Sequence, residues 1–141
     1  MTHIRTLLRQ DVWAAIDGAP ELAAFSKLRA EAFDRDPSVL PSITVATPRE
    51  RVRNDAVDAV QRDVDVEVTV RKEGADTVED ELDSLSSVIE RIVMLALEAR
   101  ADYRALTTTE MFIDGRGDKR IGNMRMTFRA LAMTPEANPE I

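Results

Sequence analysis

The chain has 141 residues, 44% of them hydrophobic, no cysteine and a net charge of -7. That length suits one ordinary domain, which buries roughly two-thirds of the surface its unfolded chain would expose. The acid excess opposes indiscriminate binding to nucleic acid or anionic membrane, and the missing cysteines exclude disulfides, thiolate nucleophiles and cysteine-ligated zinc or iron–sulfur centres.

Taken in chain order, Ile4, Leu7, Leu8, Val12 and Ile16 form one stripe of a helix that starts after Thr2 and stops at Asp17-Gly18. The stretch 19–41 has helical composition behind Pro20, then "DRDPSVLPS" breaks it, so a short helix or an ordered loop is expected. "ITVAT" reads as a brief strand halted by Pro48, followed by a charged loop at about 48–61. Residues 62–72, "RDVDVEVTVRK", carry the cleanest alternation: Val64, Val66, Val68 and Val70 on one side, Asp63, Asp65 and Glu67 on the other. After Glu73-Gly74-Ala75-Asp76, a long helix over 77–103 is predicted from Val78, Leu82, Leu85, Ile89, Ile92, Val93 and Ala96, with Asp76 or Thr77 as cap and Glu79, Asp80, Glu81 and Asp83 at its positive end. Two more strands follow around a glycine-rich turn at Asp114 to Gly122, the second covering 123–134, and the tail at about 135–141 is expected to be loose. No internal repeat or long linker divides the chain, so residues 1–141 are expected to form one domain of the α+β class. Its sheet is about four-stranded, mainly antiparallel and covered on one face by the N-terminal helix and the long helix, an α/β sandwich whose open face stays polar.

Chemical motifs are scarce. His3 is the only histidine, so no histidine cluster or catalytic triad can be assembled, and it is read as an N-terminal surface residue. "DGRGDKRIG" has neither the length nor the following helix of a phosphate loop and reads as a hairpin turn, and Arg116-Gly117-Asp118 copies an adhesion tripeptide by coincidence. Arg49, Arg51 and Arg53 have Glu50 and Asp55 among them and no aromatic neighbour for base stacking, which favours a solvated or protein-contacting arm over a nucleic-acid site. For the row Asp63, Asp65 and Glu67, a strand spreads its side chains about 7 Å apart on one face, whereas a metal needs ligands that converge. No flanking apolar pocket would desolvate one carboxyl for acid/base work. A solvated face or a charged wall remains, and no enzyme activity, metal or cofactor is expected. The longest apolar stretch, "IVMLALEA", is too short to cross a bilayer, and the N-terminus reaches a charge before a signal-peptide core could form.

In order, the N-terminal amphipathic helix, "PSITV", the charged excursion, "RDVDVEVTVRKEGADTVEDELDSLSSVIERIV", "LTTTEM" and "RMTFRALAMTPEANP" resemble the tail terminator proteins of long-tailed phages and phage-derived gene transfer agents, the group that includes minor tail protein U of lambda-like phages. The resemblance covers about Ile4 to Pro139 and rests on organisation and loose motifs, none of them catalytic. It implies a homohexameric ring in the tail of a virion or virus-like particle, assembled in the bacterial cytoplasm. The ring would cap the tail tube protein, stop its polymerisation and offer a surface to a head-completion or neck protein. DNA would only pass through its channel, with no specific binding and no membrane partner. On that reading Asp63, Asp65 and Glu67 are candidate channel-lining residues, while Arg49, Glu50, Arg51, Arg53, Arg116, Lys119 and Arg120 are candidates for the subunit or tube interface. A head-closure or neck protein of the same particle and a small α/β ligand-binding regulatory domain are the alternatives.

Overall fold

A computed structural model of the chain describes residues 2–29, 40–54, 58–116 and 119–135. The first helix, α1, spans Ile4–Asp17 and buries Ile4, Leu8, Val12 and Ile16, a spacing of four that keeps one stripe against the sheet. Its N-cap is His3, whose Nδ1 accepts a hydrogen bond from the Arg5 backbone N–H at 3.0 Å. The only histidine is therefore half-buried and caps a helix, a placement that composition alone does not reveal, because the usual capping residues are Ser, Thr, Asp and Asn.

The sheet has five strands in the order β1-β2-β3-β5-β4, one more than the sequence pattern suggests. β1 (Ser26–Arg29) follows a short 3-10 turn at Pro20–Leu22 and runs parallel to the start of β2 (Ser42–Asn54). Four residues are too few to show alternation, so within 19–41 this strand has no periodic signature. Residues 30–39, which include most of the "DRDPSVLPS" break, lie outside the described residues. β2 pairs antiparallel with β3 (Ala59–Gly74), β3 with β5 (Lys119–Pro135), and β5 with β4 (Tyr103–Arg116).

The charged loop expected over 48–61 is mostly strand. β2 continues through Pro48 to Asn54, and β3 already begins at Ala59. Proline lacks the N–H a ladder needs, and the sheet absorbs it with a register shift between Ala46 and Arg49, the bulge at which strand prolines are tolerated. What remains for the connection is the tip, of which residues 55–57 lie outside the described residues. β5 likewise extends to Pro135, so the expected loose tail begins no earlier than residue 136, beyond the described part.

The long helix, α2, spans Val78–Glu98, shorter than the predicted 77–103. Thr77 is its N-cap but makes no capping hydrogen bond with its side chain. At the other end the N–H groups of Arg100 and Ala101 both bond to the Leu97 carbonyl, and the Asp102 N–H bonds to Leu131 of β5, so the chain turns directly into β4. α1 and α2 pack against each other and on the same face of the sheet. Between them and the strands lie Leu8, Leu82, Ile89, Val93 and Leu97, with Val64, Val66, Val68, Val70, Met124, Met126 and Phe128 from β3 and β5. Two glycines have specific duties here. A Cβ on Gly122 would come within 2.6 Å of Leu82 Cδ1, so its absence lets the first turns of α2 lie close to β5. Gly115, at φ +92, takes the left-handed conformation that turns the β4–β5 hairpin.

Candidate functional site

No helix is long and apolar enough to cross a membrane, and no metal-ligating cluster occurs among the described residues. The distinctive surface is the open face of the sheet, opposite the helices. Register places Arg51, Asp63, Leu131 and Tyr103 in one row across β2, β3, β5 and β4, and Arg49, Asp65, Arg129 and Ala105 in the next. Strands lie about 4.8 Å apart, so each acid on β3 has a guanidinium column within reach on both sides.

The acids therefore do not form a solvated row. Asp63 and Asp65 are only 8% and 9% exposed. Asp63 accepts hydrogen bonds from Arg129 Nη2 at 2.5 Å and Arg51 Nε at 3.1 Å, while Asp65 accepts from Arg51 Nη2 at 2.7 Å. Glu67 is half-buried and its ion pair is looser, with Arg125 Nε at 3.4 Å. Burial by itself would push the Asp63 carboxyl up, but the hydrogen bonds from Arg129 and Arg51 outweigh it and hold the group below the usual carboxylate range. The same contacts raise Arg51 and Arg129, with Asp65 the first cause for Arg51 and Asp63 for Arg129. Around these pairs is a shallow depression of about 360 Å³, lined by Arg49, Arg51, Arg125 and Arg129 together with Asp65, Glu67, Glu110 and three threonines. Four arginines face three carboxylates there. In sequence, the signal for this pairing is the period-two spacing of Arg49, Arg51 and Arg53 and of Arg125 and Arg129, which matches that of the acids.

The candidate interface residues are divided between the two ends of the sheet. Arg49, Glu50, Arg51 and Arg53 lie on the final half of β2, toward the β2–β3 tip. Arg116, Lys119 and Arg120 lie at the β4–β5 tip, where Arg116 pairs with Lys119 and Arg120 pairs with Gly74 at the far end of β3. Arg49 and Arg53 face Asp65 and Gln61 of β3 and Arg120 faces Gly74, so the two groups stand roughly 30 to 40 Å apart along the strands. Glu50 is not part of an exposed arm. It points to the helix side, its side chain only 10% exposed, and it accepts a hydrogen bond from Arg62 Nη1 at 2.7 Å with Arg5 Nε 3.2 Å away. This cluster, extended by Arg62 Nε donating to Thr134 Oγ1 at 2.8 Å, ties the start of α1 to β2, β3 and β5. Arg49 is the opposite case, 70% exposed and 4.0 Å from its nearest acid. Of the exposed large apolar side chains, Val52, Tyr103 and Met133 lie near one end and Phe112 near the other, with Leu95 apart from both on α2.

Neither the protein-family models nor the curated proteins include a match to this chain.

Proposed function

We propose that the chain is a ring-forming structural subunit of a phage-type tail, a tail terminator that caps the tube, ends its growth and presents its other side to a head-completion protein. The observation that carries this reading is the division of exposed charged and apolar residues between two hairpin ends on opposite sides of one sheet, Arg49 and Val52 at one and Phe112 and Lys119 at the other. An adaptor between two different partners needs two separated contact surfaces on a rigid body, whereas a ligand-binding domain needs polar groups converging in a concave pocket. The depression on the open face is shallow, and Arg51 and Arg125 within it are engaged by Asp65 and Glu67. The organisation of helices and strands along the chain resembles that of tail terminators, which supplies the specific role.

In the ring, the open face would be a charge-balanced wall in place of the acid wall suggested by β3 alone, because Arg49, Arg51, Arg125 and Arg129 stand among the acids. Such a wall offers DNA phosphates no unpaired column of cations. The test is tube length. Tubes polymerised from the tube protein of the same particle should stop growing when the purified chain is added, and particles made without it should carry overlong tubes by electron microscopy. Unchanged lengths in both experiments would overturn the reading.

A further inference from the structure

We infer that copies of this chain join edge to edge and head to tail, with β4 of one copy pairing antiparallel with the second half of β2 of the next. The joint deepens the proposed ring and rests on that reading only for closure of the ring.

Both strands have an open side. β4 is the terminal strand of the sheet, and Thr107, Thr108, Thr109 and Glu110 are exposed in succession. β1 covers β2 only from Ser42 to Val45, and no described strand lies against the remainder, where Arg49, Arg51, Val52, Arg53 and Asn54 are exposed. Edge strands of this length can template pairing with another chain, which proteins either disguise or use. Here each edge carries one bulge, between Ala46 and Arg49 on β2 and between Leu106 and Thr108 on β4, leaving an uninterrupted segment beyond it on both: Arg49–Asn54 and Thr108–Arg116.

Strand direction and charge then select the pairing. Each step from β2 through β3 and β5 to β4 is antiparallel, so β2 and β4 run in opposite directions. A rotation that sets the next copy alongside preserves that sense, and the new neighbours form the antiparallel ladder. On the open face the β4 segment carries Glu110 and Asp114, and the β2 segment carries Arg49, Arg51 and Arg53. β4 against β2 puts acid beside base. A two-fold pairing of β4 with β4 sets acid on acid, and β2 with β2 sets arginine on arginine, so head-to-tail growth is favoured over a closed dimer. Bringing the two uninterrupted segments together offsets neighbouring copies along the strands, the stagger that a sheet needs in order to close on itself.

The chain has no cysteine, so the joint can be tested by cross-linking in an otherwise inert background. Full-length chains carrying Glu110→Cys together with either Arg49→Cys or Arg53→Cys are concentrated and treated with a short bismaleimide, which spans both direct and diagonal cross-strand neighbours. Within one chain the two positions are three strand spacings apart, roughly 14 Å, which keeps the reagent from closing inside a subunit. The expected product is a covalent ladder that climbs beyond the dimer, with each single-cysteine chain staying monomeric. Products that end at the dimer, or no products, overturn the inference. As a second measurement, Glu110→Arg and Arg49→Glu should each weaken self-association several-fold in sedimentation, and the two together should restore it; failure of the pair to restore it also counts against the joint. Cross-linking without tube capping would leave the edge joint standing and remove the terminator reading. Capping without cross-linking would do the reverse.

Discussion

The two faces of β3 are built from alternate residues of one strand, yet they hold the protein together by different physics. On the helix side Val64, Val66, Val68 and Val70 are fully buried, and their contribution comes from apolar surface removed from water. On the open side Asp63 and Asp65 are nearly as buried, but by the stems of neighbouring arginines, so their contribution depends on paired charges at the rim of solvent. Along Val64 to Val70 the first face carries no charge and responds little to pH or salt. The second is made of charge and responds to both.

The sharpest way to break this comparison is to put a carboxylate on the wrong face. Val66, opposite Phe128 in register, is fully buried in the apolar core, so Val66→Asp is expected to cost about 4 kcal/mol or more and to unfold much of the population at room temperature. Chemical denaturation measures it. A loss below about 1 kcal/mol would mean that the helix-side face is not the core.

Next in size is Asp63→Asn. It leaves Arg129 without its acid and Arg51 with Asp65 alone, at an expected cost of about 1 to 2 kcal/mol, kept modest because the two arginines are 42% and 44% exposed. Asp65→Val, which a solvated row would tolerate freely, is expected to cost about 1 kcal/mol, since Asp65 receives two hydrogen bonds from Arg51. Unchanged denaturation midpoints for both variants would show that the open face adds nothing to stability.

The pH dependence separates the faces again. Asp63 is held below its ordinary value of 3.8, so its contribution is fully present above that value and is lost as pH falls through the lower, folded-state value. Acid titration of stability should therefore fall more steeply in the wild type than in Asp63→Asn below about pH 4, with no difference between them near neutrality beyond the constant offset. Parallel curves would remove Asp63 as a source of acid sensitivity.

Much of this fold was legible because burial imposes a period. The valines of β3 and the four-residue spacing of α1 identify their elements and inner faces without ambiguity. β1 is too short for any period to register. The second half of β2 was hidden by Pro48 and by an alternation whose inward members are Glu50 and Val52, one a charge satisfied by Arg62 and the other exposed. A helix-or-strand reading that looks for apolar periods passes over a strand whose inward side is ionic. The candidate site was half legible: the acid row stood out on β3, but its partners come from Arg49 and Arg51 on one flank and Arg129 on the other, separated from it by 66 residues in the last case. Only the strand order brings them together.

The smallest expected effect lies within the open face and tests whether burial, more than pairing itself, sets the energy of an ion pair there. Glu67 and Asp63 both face arginines across the same strand. The Glu67 side chain is 27% exposed and meets Arg125, itself 57% exposed, at 3.4 Å, whereas the Asp63 side chain is 11% exposed and has two arginines. Water screens the first pair far more effectively, and holding two long side chains in one geometry offsets most of the remaining attraction. Glu67→Gln is therefore expected to change stability by no more than about 0.5 kcal/mol, and added salt should erase even that, while the cost of Asp63→Asn should fall only in part because its carboxyl is 11% exposed and held by two arginines. Equal costs for the two substitutions, or equal salt sensitivity, would show that the open face behaves as one uniformly solvated surface and that the burial of Asp63 has no energetic meaning.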